Sequence, residues 1–378
     1  MSKHGFKTSL FCEIDPVARA VLEKNFKKPH GKVRFESDIK NLDKLPGCDI
    51  VTAGFPCQDL SQAGGKKGIT GAKSGLVKRL FELVEELPEH KRPEWLLIEN
   101  VPYMLRLNQG QAMRFLTRSL TNLGYRWAYR VVDARCFGLP QRRPRVVLLA
   151  ARTTDPVNVL FADNFAEPDL DGKPSVVDPS SSYGFYWTEG SRGVGWAKEG
   201  VPPIKCGSTL GIASPPAVWS VGRDFVGTID IVDAERLQGF APGWTDFREC
   251  GVVAKESLRW RLVGNAVSCR LSSWVGSRLA NPGVGIRDGV PIKTNQPWPS
   301  AAWGEGDKAW KVDVSRWASD APQEKLTTFL SEPLKPLSAR ATNGFLRRAQ
   351  GCTNVIYSPH FLESLVRHSD RQTVNLQA

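Results

Sequence analysis

Apolar residues in the first 150 positions follow two rhythms that take turns. Short β-branched or aliphatic runs, Thr8–Glu13, Val33–Phe35, Asp49–Ala53, Trp95–Ile98, Tyr125–Val132 and Arg145–Ala151, read as strands. Between them lie stretches whose apolar residues recur every three or four positions. Asp15 and Pro16 fit the N-cap and first position of a helix through Phe26, with Val17, Val21, Leu22 and Phe26 on one face. Gly75–Leu87 carries Leu76, Leu80, Leu83, Val84 and Leu87, and Gln111–Leu123 repeats the pattern. Strands alternating with helices predict an α/β fold with a parallel, doubly wound sheet. In such sheets ligands and reactive groups gather at the carboxyl ends of the strands.

The texture changes after residue 151. Asp155–Pro216 is rich in Asp, Pro, Gly and Ser, with Tyr183, Phe185, Tyr186, Trp187 and Trp196 among them. That composition predicts a small loop-rich insertion. Residues 285–378 hold Trp298, Trp303, Trp310, Trp317 and a helical pattern at Ser358–His368, with Ser358 at the N-cap and Pro359 at the first helical position. A packed C-terminal appendage is expected there, with an extra DNA or partner contact as the alternative. No internal repeat is present.

Charge sharpens the picture. The net charge is +12, and residues 1–150 hold 26 Lys and Arg against 15 Asp and Glu. A polyanion such as DNA is the natural partner for that asymmetry. No stretch approaches the roughly 20 apolar residues of a membrane span. Eight cysteines are scattered without a C-x-x-C pair, which argues against a structural zinc site or disulfide framework. No membrane partner, no metal and a cytoplasmic, nucleoid-associated location are the expectations.

The strand Asp49–Ala53 runs directly into Gly54-Phe55-Pro56-Cys57-Gln58, which sets a thiol on a tight loop at the strand's carboxyl end. Such a thiol is a nucleophile if nearby positive charge favours the thiolate; an inert buried Cys is the alternative. Four motifs follow in order: Glu99-Asn100-Val101, Gln141-Arg142-Arg143-Pro144-Arg145, Arg236-Leu237-Gln238-Gly239-Phe240 and Gly264-Asn265-Ala266-Val267-Ser268. The ordered set resembles the C5-cytosine-specific DNA methyltransferases, over roughly residues 5–280. The resemblance implies a Rossmann-like methyltransferase sheet over 1–151, a target recognition region over 152–230, a return to the catalytic domain over 231–284 and an extension of unknown role over 285–378. It also implies duplex DNA as partner and S-adenosylmethionine as cofactor.

By the same resemblance Cys57 attacks carbon 6 of a flipped cytosine, which makes carbon 5 electron-rich. Glu99 is the proton donor at N3. Arg143 and Arg145, placed on one side by strand alternation, contact the cytosine and hold the catalytic loop, and Asn100 orients the site. Gln58, Ser61, Lys66, Lys67 and Arg142 are the DNA contacts. The donor pocket takes Glu13 on the ribose hydroxyls, Ile14 on the adenine, and Asp38 with Ile39 at the adenine amino group, completed by Pro56, Asn265 and Val267. Base readout is expected from 201–230, around Lys205, Ser208, Thr209 and Arg223.

One part of the pattern is missing. The family opens on a strand and an F-x-G-x-G turn, and this chain shows no such turn upstream of Thr8–Glu13. The missing strand is central in the 3-2-1-4-5 order, so weak donor binding is expected of the isolated chain. A start placed too far downstream, a separate polypeptide supplying the strand, and an inactive DNA-binding relative all remain open. A tRNA cytosine methyltransferase of related fold is a further alternative.

Overall fold

Trp95-Leu96-Leu97-Ile98 and Val146-Val147-Leu148-Leu149 are apolar at every position, and all but the half-buried Leu97 are buried, as strands near the middle of a covered sheet are. They form the centre of a seven-stranded sheet in the computed structural model, which describes residues 1–26, 33–55, 75–170, 172–191, 193–206, 213–293 and 296–374. The chain divides into two compact units. The first comprises 1–136, 144–167 and 271–320, the second 137–143, 168–270 and 321–378.

In the first unit, β1 (Leu10–Cys12) and β2 (Arg34–Glu36) pair in parallel as a sheet of their own. The larger sheet contains β3 (Ile50–Gly54), β4 (Trp95–Asn100), β5 (Arg126–Asp133) and β6 (Pro144–Ala151). From the C-terminal part it takes β11 (Gly289–Pro291), β12 (Ala301–Glu305) and β13 (Lys308–Val312), giving the order β11-β13-β12-β5-β6-β4-β3. β3 stands at one end of that order, and among the described residues β1 and β2 form a separate sheet. Among the described strand pairs only β3–β4 and β1–β2 are parallel; β6 runs antiparallel to β4 and β5, so the sheet is mixed rather than all-parallel.

The helix Pro16–Phe26 starts where the sequence places it, with the Asp15 carboxylate accepting from the backbone N–H of Val17 and Ala18 at 2.9 and 3.1 Å. Helices Gly75–Glu85 and Gln111–Asn122 bury Leu83, Val84, Met113 and Leu116 against the sheet. Gly304 on β12 lies opposite Trp127 on β5, and a Cβ there would sit 2.2 Å from the indole ring. Gly304→Ala is therefore expected to cost about 1–3 kcal/mol of stability by overpacking. A urea midpoint equal to that of the parent would show that the indole gives way.

The second unit carries β7 (Ser182–Phe185), β8 (Ala197–Lys198), β9 (Ala217–Ser220), β10 (Phe225–Thr228) and β14 (Lys335–Pro336), in the order β14-β10-β9-β7-β8 and antiparallel throughout. Its core is aromatic. Tyr183, Phe185, Trp196 and Trp219 pack against Phe345 and Phe361 of the helices Ala339–Gln350 and Pro359–Val374. The aromatics of the loop-rich stretch are thus core residues. The expected extension 285–378 is not one module either: 285–320 joins the first unit and 321–378 the second. The expected end of the recognition region at 230 also falls inside the second unit. No helix among the described residues is long and apolar enough to cross a membrane.

Candidate active site

In the first unit the site forms where β3 and β4 end. Gly54 and Glu99 are register partners on these parallel strands, and a Cβ on Gly54 would lie 3.9 Å from Glu99 Oε2. A glycine at this place leaves the carboxylate room to lie along the strand ends. Arg145, the second residue of β6, brings Nε to 2.9 Å from Glu99 Oε1, with the two side chains 11% and 17% exposed. A guanidinium this close, and this sheltered, fixes the carboxylate's direction.

Asn100 is buried, and its Nδ2 donates to the carbonyl of Phe55 at 2.9 Å while its Oδ1 accepts from the N–H of Val101 at 2.8 Å. One amide thereby ties the end of β4 to the residue just before Pro56 and Cys57. Pro56, Cys57, Gln58, Ser61, Lys66, Lys67, Ser208 and Thr209 lie outside the described residues.

Arg143 belongs to the second unit and stands ahead of β6, so strand alternation does not set it beside Arg145. Its side chain is buried. Nη2 donates to the carbonyls of Gly264 and Ala266, both at 2.8 Å. Gln141 Nε2 donates to Leu237 O at 2.8 Å, and Gln238 Nε2 to Val263 O at 2.9 Å. Three of the five sequence motifs are therefore laced together by side chains that satisfy buried carbonyls. Reading by motif position missed the two glutamines; their signal was only that both stand inside motifs. Arg142 is half-buried, with its backbone N–H on Val201 O at 2.9 Å. Lys205, expected at the DNA, has its ammonium 2.7 Å from Glu189 and 3.7 Å from the centre of the Tyr186 ring. Its charge is already engaged inside the unit.

The candidate donor residues of the first unit collect at the carboxyl ends of β1 and β2. Glu13 follows β1 directly, and its Oε1 accepts from the N–H of Asp15 at 2.8 Å. Ile14 is 68% exposed although apolar, as a platform for a flat ring would be. Asp38 caps the short turn Ile39–Asn41 through the N–H of Lys40, and Ile39 packs against the core. Burial first, then the carboxylates of Asp38, Glu13 and Glu36, push the Cys12 thiol above its ordinary pKa. The acids are thus concentrated at one strand end, where a ribose and an adenine amino group would find acceptors. These residues fit a nucleoside. Asn265 ends the helix Leu258–Asn265 in the second unit, exposed, with Oδ1 2.6 Å from Cys206 Sγ; Val267 is half-buried two residues on.

Residues 1–192 match the family model of the C-5 cytosine-specific DNA methylases. The chain is 61% identical over 373 residues, 98% of its length and 95% of the other's, to the Type II methyltransferase M2.BsuMI of Bacillus subtilis (strain 168). It is 35% identical over 138 residues to the Type II methyltransferase M.BsuFI of Bacillus subtilis, covering 36% of this chain and 32% of that one. Among solved structures, the Dnmt2 methyltransferase of S. pombe superimposes with a TM-score of 0.52 at 17% identity, over 74% of this chain and 93% of the other, a likeness of fold. The ordered motifs, the mixed methyltransferase sheet and the near full-length relative agree: the chain belongs to the C-5 cytosine-specific DNA methylase family.

Proposed function

We propose that this chain methylates carbon 5 of a cytosine flipped out of duplex DNA, as the modification half of a restriction system in the cytoplasm, on the nucleoid. The observation that carries the reading is the Glu99–Arg145 pair beside Gly54, with Asn100 gripping the residue that leads into the Cys57 loop. Carbon 5 of cytosine is a poor nucleophile. The Cys57 thiolate adds to carbon 6, Glu99 holds a proton at N3, and the electron pair is delivered to carbon 5. Carbon 5 would take the methyl group from the donor, whose sulfur keeps the bonding pair; loss of the carbon-5 proton and expulsion of the Cys57 sulfur as thiolate then restore the ring. Arg145 keeps Glu99 aimed and is in reach of the same base edge.

S-adenosylmethionine is the donor that Glu13, Ile14, Asp38 and Ile39 suit, and it supplies an electrophilic methyl group. Pro56, Asn265 and Val267 are assigned to the pocket by the resemblance alone, as Gln58, Ser61, Lys66, Lys67 and Arg142 are to DNA. The basic excess of residues 1–150 favours a polyanion. A relative that has lost or split its catalytic half is the weaker reading, because the match to a Type II methyltransferase spans 98% of the chain.

Tritiated methyl transfer to unmethylated duplex DNA tests the proposal, with tRNA as the competing acceptor. Label in DNA, abolished by Cys57→Ser, is the expected result, together with a covalent complex on duplexes bearing 5-fluorocytosine. Label in tRNA alone, or none, would sink the reading.

A further inference from the structure

The hairpin β9–β10 turns through Val221-Gly222-Arg223-Asp224, and its tip is held more firmly than a turn requires. Asp224 has φ 46, the left-handed region, which residues with a side chain seldom enter. Such a conformation persists where the surroundings impose it, and here they do. The Asp224 N–H donates to Val221 O at 3.0 Å and closes the turn. Its carboxylate accepts from Arg367 at 2.9 and 3.1 Å, from Arg371 at 3.2 Å and from the Ser364 hydroxyl. Arg371 also donates to the Asp224 backbone carbonyl.

All three donors lie on one face of the helix Pro359–Val374, at spacings of three and four. Ser364 accepts in turn from the buried Trp219 indole N–H at 2.8 Å, so the clamp is continuous with the aromatic core. Exposed ion pairs contribute little to stability one at a time. Several donors converging on one residue instead fix a geometry. The Arg367 bonds foremost hold the Asp224 carboxyl far below the ordinary carboxylate range.

Arg223 stands one residue before Asp224. It is exposed and has no ion pair, hydrogen bond or ring contact among the described residues. Its neighbour's carboxylate is already saturated. The tip thus presents an uncompensated guanidinium on a rigid mount. A rigid mount lowers the ordering cost of binding, and a guanidinium donates in a fork to guanine O6 and N7 or to phosphate oxygens.

We propose that Arg223 is a DNA-contacting residue that sets affinity for the target duplex, and that Ser364, Arg367 and Arg371 are positioning residues that hold its hairpin in the bound shape. The inference rests on the methyltransferase reading above. It gives the helix Pro359–Val374 a part in target recognition.

The test uses the full chain and unmethylated genomic DNA, with methylated sites mapped by bisulfite sequencing. Arg223→Ala should raise KM for DNA by about tenfold or more with kcat on saturating DNA unchanged. Arg223→Lys should restore KM if phosphate is the acceptor. It should leave methylation spread to new sites if a base edge is. The double variant Arg367→Ala/Arg371→Ala should raise KM in the same way, and adding it to Arg223→Ala should change nothing further, because the clamp acts through that residue. Arg223→Ala with the parent's KM and site preference overturns the proposal, and so do fully additive effects. A parent chain that labels no DNA at all overturns the methyltransferase reading instead.

Discussion

Replacing Glu99 by Gln is expected to slow methyl transfer by about 10²–10⁴-fold, the range lost with a positioned acid or base, while the fold survives. The amide keeps the size of the carboxylate and an acceptor for Arg145 Nε, which lies 2.9 Å from it. It also keeps an N–H that can point at N3. What it lacks is a proton to hold there as negative charge develops in the ring. The variant should therefore bind DNA with the parent's affinity and fail in the chemical step. Single-turnover transfer measured beside DNA binding checks this; a rate within threefold of the parent's would remove Glu99 from the reaction.

The second large effect expected is structural. Arg143→Ala withdraws the donor that Gly264 and Ala266 share through two 2.8 Å bonds, at a place almost closed to water. Bonds from a charged donor contribute about 1.5–3 kcal/mol each, and the stranded carbonyls add to the loss. A fall in stability of about 3 kcal/mol or more should appear as a lower urea midpoint with an unchanged slope. Arg143→Lys should recover only part, since an ammonium does not reproduce the fork. A midpoint equal to the parent's would show that the motif loop is held by something else.

Much of this site was legible in the sequence. The run Trp95–Ile98 delivers Glu99 to a strand end whatever the rest of the chain does, and Asp15-Pro16 starts a helix by local chemistry alone. Boundaries of that kind depend on neighbours a few residues away. The opposite holds for Arg143, whose partners lie 121 and 123 residues downstream, and for Trp219, whose indole meets Ser364 after 145 residues. No periodicity encodes a partner at such distance. Direction was equally hidden: an apolar strand looks the same whether its neighbour is parallel or antiparallel, so the reversal of β6 could not be read. The tryptophans after residue 285 signalled burial without saying in which unit; all four fall in the first, while Phe345 and Phe361 go to the core of the second. That division of the C-terminal part only the folded chain reveals.

The splitting of the C-terminal part between both units has a consequence for biosynthesis. Phe345 and Phe361 leave the ribosome long after Trp196 and Trp219, yet they close the core around them. The nascent strands β7, β9 and β10 must wait, with their aromatic face uncovered, for more than a hundred further residues. At about 5–20 residues per second that wait lasts many seconds, long enough for chaperones to engage the uncovered surface before the two helices emerge.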